Sequence, residues 1–352
     1  MYSSIHHVHL ELTERCNAAC PMCSRNLHGG ADNPLLINAE LSLDDIKTLL
    51  PPSFVHDLDD VLACGNYGDP MIARDLLPIV HYLRDNSCCR ISMNTNGSLR
   101  NSEWWTELGG LLNRRDDCIK FSIDGLSDTN AIYRRHTNFA RIIQNARCFI
   151  AAGGNADWEY IVFRHNEHQV DEARQMANDL GFQTFRVKRT GRFYSTKDQR
   201  VLDHYPVFNR DGTFAYNLEP PLDPQYQNPA IINHAALTER CGSFSAYLDS
   251  TEITCKAVAL SSIYISARGM VFPCCWTAQL YGDYLDDVLA LLAECGTESI
   301  DGLQRPIEDI VQGKFFHRVE AGWSHTCANG RLGICARICG SEFDQFTSTA
   351  AR

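Results

Sequence analysis

The sequence predicts an α/β protein built on a parallel sheet, and three observations predict it. Short apolar runs alternate with helical patterns through the first half of the chain. Several of those helical patterns carry start and stop signals. The length of 352 residues, 44% hydrophobic, suffices for one large domain and a smaller one. Strand patterns fall at residues 7–12, 60–64, 90–94, 119–123, 159–163 and 184–188, and helical patterns between them at 42–50, 76–86, 102–112, 139–152 and 167–180. Ser42 precedes L-D-D as a helix cap, and Asn166 precedes a run that stops at Gly181. Alternation of this kind implies parallel strands joined by right-handed crossovers. Six such units make either an open doubly wound sheet or a partial barrel.

The pattern breaks after residue 189. Residues 190–250 are rich in Pro, Asn, Asp and Tyr, as in E-P-P-L-D-P-Q-Y-Q-N-P, and read as an irregular connector. The connector is long for an idle loop and is expected to cover the active site. A second unit spans 251–346 and leaves a tail at 347–352. It holds a hairpin pattern turning at Arg268-Gly269, helical patterns at 284–295 and 306–319, and a cysteine-rich end.

The net charge of −11 disfavours a nucleic-acid partner held by many phosphates. No apolar run approaches the roughly 18 residues that span a bilayer, and the start M-Y-S-S-I-H-H is too polar for a secretory signal, so a cytoplasmic location and no membrane partner are expected. Sixteen cysteines are many for such a protein. Disulfides do not persist in the cytosol, so clustered cysteines point to metal. Cys64, Cys88, Cys89, Cys118 and Cys148 lie in or beside apolar segments and read as ordinary buried thiols.

The first strand runs into C-N-A-A-C-P-M-C. Three thiolates on one loop, Cys16, Cys20 and Cys23, can converge on one metal centre, and short spacings of this kind hold iron–sulfur clusters. Zinc competes, but a structural zinc site needs four ligands and no fourth Cys or His lies near in sequence. Three ligands leave one iron of a cluster open.

The Cys-x3-Cys-x2-Cys spacing closely resembles the signature of the radical S-adenosylmethionine (SAM) superfamily. The resemblance implies a partial (β/α)6 TIM-like barrel over 1–189 and a 4Fe–4S cluster whose open iron chelates SAM. Met22 stands where the family packs a residue near the adenine. Gly65-Asn66-Tyr67-Gly68-Asp69-Pro70 resembles the family's G-G-E-P motif, with Tyr67 and Asp69 as departures. Gly68 and Asp69 are thereby implied at the SAM amino group. Asn94 in N-T-N-G, and Ser122 and Asp124 in S-I-D-G, stand near the implied ribose and carboxylate. Arg134 or Arg135 would pair with the carboxylate, and Arg164 would lie near the adenine.

Cys255 and Cys274, with Gly269 between them, fit the Cys-x9–15-Gly-x4-Cys element of SPASM and twitch domains. The resemblance therefore implies a smaller C-terminal twitch/SPASM-like domain. Its one auxiliary 4Fe–4S cluster would be held by Cys255, Cys274 and two of Cys327, Cys335 and Cys339, with Cys241 in reserve. Cys275 is expected to face away.

The implied chemistry is reductive cleavage of SAM to a 5′-deoxyadenosyl radical, which takes a hydrogen atom from the substrate. An electron donor such as flavodoxin or ferredoxin is then a partner. The leading reading is oxidation or rearrangement of a small molecule of sugar, aminoglycoside, nucleoside or amino-acid type. Alternatives are a maturase acting on a ribosomally made peptide, and a non-catalytic Fe–S or zinc protein. An N-terminal peptide-recognition domain is not expected, since the barrel begins near residue 6.

Overall fold

The computed structural model describes residues 1–195, 198, 200–279 and 285–343; the expected tail, the end of the second unit and Tyr284 lie outside the described residues. Six strands, β1 (His7–Leu10), β2 (Asp60–Ala63), β3 (Arg90–Thr95), β4 (Cys118–Ser122), β5 (Ala156–Ile161) and β6 (Thr184–Lys188), pair in parallel in chain order. Two short ribbons follow: β7 (Tyr194–Ser195) with β8 (Arg200–Val201), and β9 (Tyr205–Phe208) with β10 (Phe214–Leu218). The last two strands, β11 (Ser262–Ile265) and β12 (Val271–Phe272), form a hairpin.

The sheet order is β12-β11-β1-β2-β3-β4-β5-β6. A doubly wound sheet reverses direction at a switch point, and this order does not. The partial-barrel alternative is the one the chain adopts. Crossovers of one hand then place the helices on one face. That face is apolar: Val8, Leu10, Val61, Ile91, Met93, Ile119, Phe121, Trp158 and Tyr160 are buried in the main core. The intervening positions, among them His9, Asn94, Lys120, Ser122, Glu159 and Lys188, belong to the opposite, concave face, because side chains alternate along a strand.

Apart from 306–319, the expected helices form within three residues of where the sequence places them. Ser42 caps Leu43–Leu49 in a reciprocal capping box with Asp45. Gly181 ends Val170–Leu180 in the left-handed region, φ +85°. Helices Ser102–Leu111 and Phe139–Ala151 approach closely at Gly109, where a Cβ would lie 2.5 Å from the Phe149 carbonyl oxygen. Only glycine fits that crossing.

Four expectations need correction. Asn166 does not cap the helix after it; its side chain bonds Phe163 N, Asp124 O and Ile161 O instead. The 306–319 pattern is two helices, Ile307–Val311 and Lys314–Gly322, separated at Gln312 and Gly313. The connector is not wholly irregular. Besides its ribbons it holds helix Pro229–Cys241, opened by Asn228 with proline at the first turn and closed by Gly242, and helix Phe244–Ser250. Finally, the hairpin extends the barrel's own sheet. β11 runs parallel to β1, with Val8 opposite Ile263 and Leu10 opposite Ile265.

Candidate active site and a second cysteine pocket

The loop after β1 is pinned on several sides. Cys23 N donates to Cys20 O at 3.0 Å, Asn26 Nδ2 to Cys20 O at 3.2 Å, and Ala19 N to Arg135 O at 3.1 Å. Cys16, Cys20 and Cys23 thereby line one wall of a cavity of about 360 Å³ at the carboxyl ends of the strands. In parallel barrels that end carries the ligands. The remaining wall comes from the carboxyl-terminal parts of β3 to β6 and the loops after β2 to β6, including Cys64, Asn66, Gly68, Asp69, Asn94, Ser122, Glu159 and residues 188–192.

The electrostatics of the loop suit a metal centre. Burial pushes the Cys16 thiol well up, with Asp69 and Cys20 adding to it. Burial does the same to Cys20, against the opposing pull of Arg134. Thiols crowded in such a place keep their protons until a cation replaces them. They surround a space and do not meet at a point: among the described residues no three His, Cys, Asp or Glu side chains converge closely enough to hold a single metal ion. Asn94 Oδ1, on the cavity wall, is buried without a hydrogen-bond partner. An orphaned acceptor there fits a ligand that donates to it.

Of the residues expected at SAM, Gly68, Asp69, Asn94, Ser122 and Arg134 line this cavity. A Cβ on Gly68 would lie 1.7 Å from the Thr13 carbonyl oxygen, so the loop passes the cysteine strand at glycine distance. Asp69 is 5% exposed, and its oxygens are taken by Met71 N, Thr95 Oγ1, Asn96 N and Asn96 Nδ2 at 2.7–3.0 Å. It braces the loop after β3 against the loop after β2. Arg134 bonds Asp124 through Nε at 2.6 Å and reaches Cys20 Sγ at 3.7 Å.

Four residues fall elsewhere. Asp124 is fully buried behind Arg134 and also accepts from Ile161 N at 2.6 Å. Met22 packs in an apolar cluster with Tyr133, Phe163 and Val207. Arg135 bonds Gly29 O, Phe208 O and Asn209 Oδ1, tying β9 to the cysteine loop. Arg164 pairs with Glu219 at 2.8 Å near the surface. Their partners come from the connector or from another strand, which motif spacing does not register. Conversely, Cys64, Glu159, Lys188, Arg189 and Arg192 line the cavity without having been singled out for it. Strand alternation carries part of the missed signal, since Glu159 and Ile161 stand two residues apart on one face.

A second pocket, about 20 Å³ and walled by Ile253, Trp276, Val319 and Trp323, gathers Cys255, Cys274, Cys335 and Cys339. Cys335 and Cys339 stand four apart on helix Gly333–Cys339 and so share a face. The Cys255 thiol is pushed up by the Cys339 thiol beside it and by burial. Cys327 is not brought there. It lies on a separate turn, Cys327–Asn329, where its N donates to Asp249 Oδ1 at 2.7 Å. Burial and Asp249 push its thiol up to about 12. Cys275 does not line this pocket; it is half-buried, next to Cys274 and near Cys64 and Glu11. Cys241 and Cys327 each pack against a third apolar cluster.

No protein-family model matches the chain. A probable GTP 3′,8-cyclase of Saccharolobus islandicus is 28% identical over 177 residues, which are 49% of this chain and 53% of that protein. Another probable GTP 3′,8-cyclase, of Sulfurisphaera tokodaii, is 31% identical over 102 residues, 29% of this chain and 30% of that protein. The chain thus spans about half the length of the first curated relative, or less for the second. Among solved structures, native anSMEcpe with bound AdoMet superposes with a TM-score of 0.56 at 12% identity, covering 97% of this chain and 93% of that one. SuiB of Streptococcus suis bound to S-adenosylmethionine superposes with a TM-score of 0.51 at 15% identity, covering 80% and 63%. At these identities the likeness is one of fold.

Proposed function

We propose that this chain, a radical SAM protein by its fold and its cysteine loop, holds a 4Fe–4S cluster through Cys16, Cys20 and Cys23 and cleaves SAM reductively. The observation that carries the reading is the set of three thiols on the wall of one cavity, facing loops that fit a ligand. When bound, such a cluster supplies the electron that splits SAM into methionine and a 5′-deoxyadenosyl radical.

The chain's own groups position and enclose. Asn94 Oδ1 offers an acceptor to the SAM amino or ribose groups. Arg134, held by Asp124, offers its guanidinium beside Cys20. Ser122 offers a hydroxyl on the same wall. The connector helps to keep water out: Val207 and Leu218 are buried in one apolar cluster with Cys20, Tyr133 and Phe163. Cys255, Cys274, Cys335 and Cys339 would hold one auxiliary 4Fe–4S cluster. A flavodoxin- or ferredoxin-like protein would supply electrons, in the cytoplasm.

The substrate favoured is a small molecule, oxidised or rearranged after hydrogen abstraction. One observation favours a peptide instead. A second cleft of about 310 Å³, walled by Phe193, Leu202, Pro220, Pro221 and Ile231, shares Thr190 with the reaction cavity. An extended apolar segment would fit it, and anSMEcpe has been solved with bound AdoMet and a peptide.

The test is anaerobic reconstitution followed by turnover with a chemical reductant. Wild type is expected to bind iron and sulfide and to yield 5′-deoxyadenosine from SAM. Cys20→Ser is expected to abolish that product while retaining the auxiliary cluster. Zinc alone at the loop, or unchanged product from Cys20→Ser, rules the reading out.

A further inference from the structure

Four cationic side chains, Arg134, Lys188, Arg189 and Arg192, line the cavity against two carboxyls, Glu159 and Asp69, the latter held by Met71, Thr95 and Asn96. Lys188 is paired with Glu159 at 3.0 Å, and Arg134 with Asp124 at 2.6 Å. Arg192 donates to the Tyr133 hydroxyl at 2.7 Å, a neutral partner. Among the described residues, neither Arg189 nor Arg192 has a carboxylate within ion-pair distance, yet both line the cavity. This happens in a chain whose net charge is −11, so the excess is local.

The groups of the proposed reaction do not remove it. SAM is a net cation, since one carboxylate faces an ammonium and a sulfonium. A cluster on three thiolates is a net anion that roughly cancels it. Arg189 and Arg192 then remain on the cavity wall without a carboxylate, among the described residues, within ion-pair distance. Arg189 is half-buried and Arg192 exposed at the cavity mouth, open to an incoming ligand, and Arg forks match carboxylate and phosphate oxygens.

We propose that Arg189 and Arg192 form the substrate's anion subsite, and that the substrate carries a carboxylate or phosphate which they hold in the cavity that the cysteine loop lines. The assignment rests on the radical SAM reading and narrows its substrate class. Both residues stand within four positions of the end of β6, on the barrel's ligand-bearing rim. Lys188, paired with Glu159, is not part of the subsite.

The test uses the reconstituted protein with SAM bound, titrated calorimetrically with inorganic pyrophosphate in one arm and succinate in the other. At least one probe is expected to bind saturably, and more weakly as salt rises. Arg189→Gln and Arg192→Gln are each expected to weaken it at least tenfold, about 1.4 kcal/mol. Arg115→Gln, exposed just before β4 at the other end of the sheet, is expected to leave the affinity unchanged. The arm that binds tells phosphate from carboxylate. No saturable binding of either probe, or wild-type affinity in either cavity variant, overturns the assignment. Iron content and 5′-deoxyadenosine formation, measured on the same samples without probe, judge the radical reading separately.

Discussion

Glu11 shows how one side chain joins three parts of the chain. It is 1% exposed. Oε1 accepts from Tyr67 N at 2.7 Å and Gly68 N at 3.2 Å, and Oε2 from the Tyr264 hydroxyl at 2.5 Å. The strand before the cysteine loop, the Gly68 loop and β11 therefore meet on one carboxyl. Burial pushes that carboxyl up to about 7, although its three donors pull the other way. A carboxyl raised on folding contributes stability below its unfolded value, near 4.5, and loses it as pH climbs through about 7. Between pH 6 and pH 8 the loss amounts to about 1 kcal/mol. Glu11→Gln keeps an acceptor and a donor but cannot ionise. Its stability relative to wild type is expected to improve by about that amount from pH 6 to pH 8. Urea unfolding at the two values checks this, and a parallel offset would show that Glu11 does not titrate in the window. At this scale the sequence was legible where residue type alone limits the choice, as at the three cysteines and Gly68. It was not legible where a role depends on a distant partner. Arg164 is a surface ion pair because Glu219 lies beside it, fifty-five positions away.

Among the elements, the last described helix decides which thiols face the second pocket. The spacing of Cys335 and Cys339 is one helical turn, so once the segment is helical the pair is fixed. Cys327 precedes the helix on its own turn, beside Asp249, and the sequence alone could not separate it from the other two. Cys327→Ser is expected to retain the auxiliary iron. Cys335→Ser and Cys339→Ser are each expected to lose it, lowering the reconstituted iron by about half of a two-cluster protein's content. Iron counting with low-temperature EPR of the reduced samples reads both. Loss of iron from Cys327→Ser with retention in Cys339→Ser would reverse the ligand set. The same scale explains the connector. Its helix Pro229–Cys241 begins at Asn228-Pro229, a start signal as good as any in the barrel, but the surrounding Pro-rich composition masked it. Residues 306–319 are the opposite case: apolar periodicity runs on across Gly313, where the helix breaks.

On the scale of the whole molecule, the two halves read from composition share one sheet. Alternation made β1 to β6 legible, but pairing between segments some 250 residues apart leaves no local trace, so β11 read as a hairpin alone. Its parallel register with β1 buries Ile263, Tyr264 and Ile265, and puts Tyr264 edge-on to His9 at 4.9 Å. The N-terminal residues join in: Tyr2 packs against Phe316, and its carbonyl accepts from Gln312 Nε2 at 2.9 Å. A chain cut to residues 1–250 would therefore expose the hydrogen-bonding edge of β1, the strand that leads into the cysteine loop. Unpaired edges of apolar strands associate with one another. The truncated chain is expected to run as soluble aggregate in anaerobic size-exclusion chromatography and to lose most of its iron, whereas the full chain stays in a defined peak. A truncated monomer that still reconstitutes a cluster and cleaves SAM would show that the barrel stands without β11, and that the shared sheet serves the second cysteine pocket more than the first.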